Sequence, residues 1–366
     1  MAKLRLDTAG VIGIMSGTSL DGLDLCYVQF NLLDGKWTMS ELKTKAIDYS
    51  TSWRKMLAEA YYLSPNELSK LDLTYGNYIA QEAAVFIKEE QLANKVDLIA
   101  SHGHTIFHQP QNGFTVQIGN GQVMADRLKM TVVADFRSKD VSLGGQGAPL
   151  VPIGDRFLFG QYEACLNLGG IANVSFELNQ ERKAFDIAPC NLPLNKIMRE
   201  QFEKEFDASG SYSAQGKVID ELLSKLNSLD FYQEKPPKSI GVEWMNAHFY
   251  PVIEHSFFEN IPAKDVLRTI VEHETEQIAK VLNRNNLNSI LLTGGGAFNT
   301  FFVDSLKRKT KGNVILPSKE IIAFKEAMIF GFLGLRCLRN EVNAIKSVTG
   351  ASHDSVGGVI SYPSSV

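Results

Sequence analysis

The sequence predicts an α/β protein of two domains, and three observations lead there. The chain has 366 residues, more than one hydrophobic core usually serves. Strand-like alternation and helical periodicity both occur along it. A strand, a glycine-containing turn and a second strand, followed by further strand and helix patterns, occur twice: at "GVIGIMSGTSLDGLDLCYVQF" and at "EACLNLGGIANVSFEL".

In order, "GVIGIM" reads as a buried strand, "LDLCYVQF" as its antiparallel neighbour and "WTMSELKTKAIDY" as a third. Consecutive strands at the start argue against a βαβ dinucleotide-binding opening. Helical patterns cover Ser52 to Leu63 and Ser64 to Leu92. In the second, "SPNE" supplies a Ser N-cap, a Pro at the first helical position and a Glu at the third. "VDLIASHG" and "MTVVADFR" are strands that end in polar loops. "SLGGQGAPLVPIGD" is Gly- and Pro-rich with little periodicity, so the inter-domain connection is placed there or just after it. The second hairpin then turns at Gly169-Gly170, and "KAFDIAPCN" is a third strand and loop. Helices follow near Pro193 to Phe206, Gln215 to Leu226 and Lys264 to Asn283. "NSILLTGGGAFN" is a strand entering a Gly-rich loop, and "FKEAMIFGFLGLRCLR" is a buried helix.

Composition narrows the class. Hydrophobic residues make up 44% and charged residues 21%, with a net charge of −4, which gives no sign of nucleic-acid or acidic-membrane binding. Cys26, Cys165, Cys190 and Cys337 form no C-x-x-C pair and read as reduced thiols. The N-terminal apolar run is short for a signal peptide, and nothing approaches a membrane span. Cytoplasm is the expected location.

Phosphate binding needs backbone N–H groups close to oxygen, and so favours glycine and small residues. "SGTSLDG" fits, with hydroxyls at Ser16, Thr18 and Ser19. It lacks the Lys of G-x-x-x-x-G-K-[ST] and is not G-x-G-x-x-G. A carboxylate at this turn, Asp21 or Asp24, suits Mg²⁺, which takes one or two carboxylates plus waters and phosphates. A plain Ser/Gly/Asp hairpin turn is the competing reading. "LNLGGIANVS" and "LLTGGGAFN" offer second and third glycine turns, each equally readable alone as a tight turn.

Together these loops resemble the sugar kinase, Hsp70 and actin superfamily. The resemblance implies a two-domain actin-like ATPase (ribonuclease H-like) fold with ATP in the cleft between the domains. The strings "GIMSGTSLDGLDL", "SHGHTIFHQP", "TVQIGNG", "VVADFRSKDVSLGGQGAPLVP", "LNLGGIANVS", "FDIAPCN", "PPKSIGVEW" and "LLTGGGAFN" are similar to the anhydro-N-acetylmuramic acid kinase family, from about Val11 to about Gly334. It implies domains at 1–140 plus about 340–366 and at 141–339. It implies conversion of 1,6-anhydro-N-acetylmuramic acid, ATP and water to N-acetylmuramic acid 6-phosphate and ADP, in recycling of cell-wall sugar. It also implies a homodimer.

Carried over residue by residue, the resemblance puts Gly17, Thr18, Ser19, Asp21, Gly22 and Asp24 at the first phosphate loop, with Asp21 and Asp24 toward Mg²⁺. Gly169, Gly170 and Asn173 belong to the second loop, and Gly294, Gly295 and Gly296 to the adenosine loop. Asp186 in "FDIAPCN" takes the catalytic-base position, against a plain turn or a helix cap. Arg137 and Glu326 bind polar groups of the sugar. An ion pair with Asp135 or Asp140 competes for Arg137, and pairing with Lys325 or Arg336 on a solvated face competes for Glu326. Of His102, His104 and His108, no Cys or His pair follows at zinc spacing, and relatives carry Gln where His104 stands. His102 is assigned to the sugar site, with a plain hydrogen-bonded histidine as the alternative.

The chain also departs from the family's F-D-T-G-P-G-N. Ile187, Ala188 and Cys190 stand there, Asn195 and Asn120 replace expected Asp residues, and Ile240 and Val242 replace Thr and Arg. Loss of Gly restricts φ, which opens a different loop conformation and a changed or relaxed sugar specificity as alternatives. Two further readings compete: a kinase of the same fold acting on another sugar, and a nucleotide-binding protein with weakened catalysis.

Overall fold

A computed structural model describes residues 7–17, 20–258 and 260–364. Thr18 and Ser19 lie outside the described residues. The chain forms two compact units, residues 1–158 with 324–366, and 159–323.

The strands of the first unit are β1 (Thr8–Ser16), β2 (Gly22–Leu33), β3 (Lys36–Asp48), β4 (Leu98–Ser101), β5 (His104–Gln109), β6 (Phe114–Ile118) and β7 (Val132–Ala134). Those of the second are β8 (Ala164–Leu168), β9 (Ile171–Leu178), β10 (Glu181–Pro189), β11 (Ser289–Thr293) and β12 (Asn313–Ile315). The last strand, β13 (Val359–Ser361), returns to the first unit.

The two main sheets repeat one plan. The first runs β13-β7-β4-β1-β2-β3 and the second β10-β9-β8-β11-β12. In each, the first three strands are antiparallel neighbours. Two more strands add in parallel beyond the opening one. A hairpin needs only a tight turn, whereas parallel pairing needs a crossover that lays a helix on the sheet. This order, used twice, is the ribonuclease H-like plan of actin-like ATPases. β1 and β4 are buried almost throughout, as strands covered on both faces must be.

Helices close each core. In the second unit, Ala263–Arg284 buries Val266, Ile270, Ile278 and Leu282 at helical spacing, each contributing roughly 1.5–3 kcal/mol on burial. In the first, Pro65–Glu89 begins at the expected box: Ser64 Oγ accepts from the Glu67 N–H and the Glu67 carboxylate accepts from the Ser64 N–H. Among the described residues no helix is long and apolar enough to cross a membrane.

The units change over later than 140 on the way out and earlier than 340 on the way back. The Gly/Pro stretch read as a linker ends in a helix, Val151–Leu158, that belongs to the first unit. Its Asp155 pairs with Lys325 at 2.6 Å, both almost fully buried, and Gly154 packs against Ile329. The return crossing falls inside the helix Lys319–Leu338, whose Phe330 and Phe332 are fully buried. The β5–β6 hairpin was also not legible, because "HTIFHQPQNGFTVQI" mixes polar and apolar residues on both faces.

Candidate active site

In the first unit, the β1–β2 turn runs from half-buried Gly17 to exposed Asp21. The Asp21 carboxylate accepts from the Gly22 N–H at 3.1 Å, and its carbonyl accepts from the Tyr49 N–H at 3.0 Å. The base of the turn is pinned by Ser16, whose Oγ meets Tyr49 Oη at 2.7 Å and His104 Nδ1 at 2.8 Å. Asp24, the third residue of β2, is half-buried, and its carboxyl is pushed up to about 6. Burial is the main cause, and the like charges of Asp21 and then Glu326 add to it.

Arg137 follows β7. Its Nε–H donates to His102 Nε2 at 2.9 Å and its Nη1–H to the Gly147 carbonyl at 2.6 Å. The string "DFRSKDVSLGGQG" builds this clamp. Asp140 accepts from the Gly147 N–H at 2.8 Å and from Thr349 Oγ1 at 2.7 Å. Gly147 sits at φ +67, with Val141 only 2.8 Å from where a Cβ would stand. Asp140 therefore holds the loop that holds Arg137, and Asp135 accepts from the Ser138 N–H.

Glu326, on the helix Lys319–Leu338, presents surface to solvent. Protein atoms crowded around its carboxyl raise it above the usual Glu range, opposed first by Arg137 and then by Lys325. The alternative partners are committed elsewhere: Lys325 to Asp155 and Arg336 to Glu341 at 3.0 Å.

A cavity of ≈ 440 Å³ lies in this unit, lined among others by His102, Gln117, Asn120, Asp135 and Ser138. Asn120 caps the helix Gly121–Leu128, accepting from the Val123 N–H at 3.0 Å while its Nδ2 donates to Asp72 at 2.9 Å. An amide does both, whereas a carboxylate here would face Asp72 with like charge. That accounts for Asn in place of Asp.

In the second unit, Thr293, Asn167, Asn173 and Asp186 are register partners across β11, β8, β9 and β10. Directly opposed residues share a face, with Cβ atoms roughly 5 Å apart. Asn173 is the third residue of β9, the place Asp24 holds on β2. Asp186 lies within β10, so it is neither a turn residue nor a helix cap. Its Oδ2 accepts from the Ile240 N–H at 2.9 Å, and its own N–H donates to the Lys238 carbonyl at 3.1 Å. Burial raises its carboxyl, partly offset by the Ile240 N–H.

The glycine turns are tied to the segment after Asp186. Asn191 Nδ2 donates to the Leu168 and Gly169 carbonyls at 3.0 and 2.7 Å. The Cys190 and Leu192 N–H groups donate to the Gly170 carbonyl. Gly294 has φ +85, and a Cβ there would lie 2.6 Å from Asn167 Oδ1 and 2.8 Å from the Leu168 carbonyl oxygen. Gly294→Ala is expected to destabilise the protein by about 1–3 kcal/mol, read by urea denaturation. An unchanged midpoint would remove the requirement for glycine.

The departures from the family string settle into packing. Ile187, Ala188 and Cys190 are buried core residues, and none of them has a left-handed φ. Ala188 pairs with Ala172 after a bulge that follows Asp186. The expected change of loop conformation through lost glycine freedom is not required.

Sequence reasoning missed Ile240 and Lys238 as holders of Asp186, and Asn167 and Asn191 between the glycine loops. "PPKSIGVEW" was visible as a string, but its backbone contact to Asp186 crosses 54 residues.

A family model described as anhydro-N-acetylmuramic acid kinase matches residues 9–363. The protein of that name from Francisella tularensis subsp. novicida is 32% identical, covering 96% of this chain and 98% of the relative. The one from Pseudomonas fluorescens is 35% identical, covering 96% and 99%. Among solved structures, component A of (R)-2-hydroxyglutaryl-CoA dehydratase from Acidaminococcus fermentans is similar at 12% identity with a TM-score of 0.46, covering 90% of this chain and 98% of that one. By the extent of the family match and the full-length likeness to its members, the chain belongs to the anhydro-N-acetylmuramic acid kinase family.

Proposed function

We propose that the protein is an ATP-dependent kinase that opens 1,6-anhydro-N-acetylmuramic acid with water and phosphorylates it, giving N-acetylmuramic acid 6-phosphate and ADP. The observation that carries this reading is Asp186: a carboxylate fixed through one oxygen by the Ile240 N–H, in the polar row beside the second glycine turn.

The chemistry needs such a base. In the anhydro sugar O6 is locked in an ether to the anomeric carbon, so no hydroxyl is free to be phosphorylated. Asp186 takes a proton from water as its oxygen bonds to the anomeric carbon. The C1–O6 bond breaks, and O6 receives the γ-phosphoryl group as ADP departs. Arg137 and Glu326 hold polar groups of the sugar, and His102 belongs to this site through its bond to Arg137. Gly17, Thr18, Ser19 and Gly22 with Gly169, Gly170 and Asn173 serve the phosphates, and Gly294, Gly295 and Gly296 the adenosine.

Mg²⁺ fits the first turn. After burial, the carboxyls of Asp21 and Glu326 raise that of Asp24 there, a cost that a divalent cation relieves. Asp21 and Asp24 would hold it, directly or through water, and when bound it would neutralise phosphate charge. Turnover is expected to stop with EDTA and return with excess Mg²⁺; full activity in EDTA would remove the metal from the proposal. A homodimer and a cytoplasmic location complete the reading.

One observation favours a second reading. Val242, where Arg is common in the family, is 62% exposed, which suits a kinase of the same fold with another sugar. A phosphorylation assay with ATP and a panel of anhydro and free amino sugars decides. Turnover confined to the anhydro sugar supports the first reading, turnover confined to others the second. ATP binding without turnover on any sugar would overturn both.

A further inference from the structure

We propose that His102 is a positioning residue for Arg137: a neutral, Nδ1-protonated imidazole whose Nε2 lone pair fixes the guanidinium. This rests on the sugar-kinase reading for its kinetic consequence, but not for its geometry. Both ring nitrogens are assigned by their partners. Arg137 Nε–H can only donate, so His102 Nε2, 2.9 Å away, accepts. The Gly103 carbonyl can only accept, so Nδ1, 2.9 Å away, carries the hydrogen. A ring with its tautomer set this way has no lone pair left to act as a base and no second N–H to offer a ligand.

The surroundings keep it so. His102 is 4% exposed, and its ring packs on Phe330 at 4.7 Å between centroids. Burial first, then the Arg137 charge, push it well below the ordinary histidine value, with His104 adding to the same effect. Protonation would set an N–H against the Arg137 Nε–H. Arg137 is thereby held at both ends, by His102 at Nε and the Gly147 carbonyl at Nη1, over the Phe330 ring at 5.8 Å. Among the described residues two of its five N–H groups are used, and three remain to meet oxygens of a ligand in a fixed orientation.

Two measurements test this. Histidine-ring ¹⁵N–¹H correlation on the unmutated protein without ligands should show His102 protonated at Nδ1 alone, with no titration between about pH 5 and 8. An Nε2–H tautomer, or titration in that range, overturns the proposal. The kinetic arm compares His102→Gln, which can return an acceptor to Arg137, with His102→Asn, which is too short to do so. With 1,6-anhydro-N-acetylmuramic acid, H102N should lose on the order of 10- to 100-fold in kcat/KM for the sugar, with KM for ATP unchanged. H102Q should recover most of it, and in an Arg137→Ala background neither change should cost more. Equal losses in H102N and H102Q, or losses additive with Arg137→Ala, overturn it. If the unmutated protein turns over no sugar, the kinase reading fails and the NMR result alone decides for His102.

Discussion

Asp186→Asn is expected to lower turnover by roughly 10²–10⁴-fold, the usual worth of a general base, with fold and ATP affinity retained. Asn keeps a carbonyl oxygen for the Ile240 N–H, and the backbone bond from residue 186 to the Lys238 carbonyl does not depend on the side chain. The change removes only the capacity to take a proton. The acid limb of kcat/KM is a second signature. Because burial raises the Asp186 carboxyl above 3.8, activity should fall as pH drops through a value higher than an ordinary Asp would give. In the variant that limb should vanish from the residual rate. Stability should not suffer. A carboxyl with a raised folded-state value favours the fold most at low pH and loses that advantage as pH rises, so its removal at neutral pH is neutral or favourable. Steady-state rates, calorimetric ATP titration and thermal melts of both proteins provide the check. An Asn variant with parental kcat would sink the assignment of the base.

Glu274→Gln is expected to make the protein more stable at neutral pH and to flatten the dependence of its stability on pH. Glu274 lies in the helix Ala263–Arg284 and is completely buried. Among the described residues neither of its carboxyl oxygens has a hydrogen-bond partner. Its neighbours on the helix are satisfied: His273 bonds Asn227 and Tyr232, each at 2.7 Å, and Gln277 bonds Asn227 at 2.6 Å. Burial raises the Glu274 carboxyl well above 4.5, so the fold holds it as a neutral acid. The unfolded chain ionises it at ordinary values. Stability from this group is therefore fully present below about 4.5 and is lost as pH rises toward the folded-state value. The loss approaches about 1.4 kcal/mol per pH unit. Gln cannot ionise, so the variant lacks that loss. His273, His102 and His104, all lowered by burial, act in the opposite sense, and the difference between variant and parent isolates Glu274. Urea denaturation of both at about pH 4.5 and 7.5 should show the gap widening with pH; a constant gap would mean that Glu274 ionises normally in the fold.

Much of this protein is legible in its sequence alone. Alternating strands flanking Gly169-Gly170, the Ser64–Glu67 box, the strand entering Gly294 and the repeat of one opening in two halves are local patterns. Local sterics and capping write them into adjacent residues. Asp186 was singled out by the resemblance of its contiguous string to a family motif, not by local sterics. The short helix Val151–Leu158 was not readable, because "VPIGDRFL" forms a helix only when Ile153, Leu158 and the Asp155–Lys325 pair are buried together. Tertiary structure alone decided what surrounds each functional group. Ile240 reaches Asp186 across 54 residues, His102 reaches Arg137 across 35, and Asp140 reaches Thr349 across 209. It also decided that Ile187, Ala188 and Cys190 are core residues, and that Glu274 is a buried acid with no hydrogen-bond partner among the described residues. A sequence specifies which groups are present, but hydrogen-bond partners and burial, which set protonation and orientation, exist only once distant segments have met.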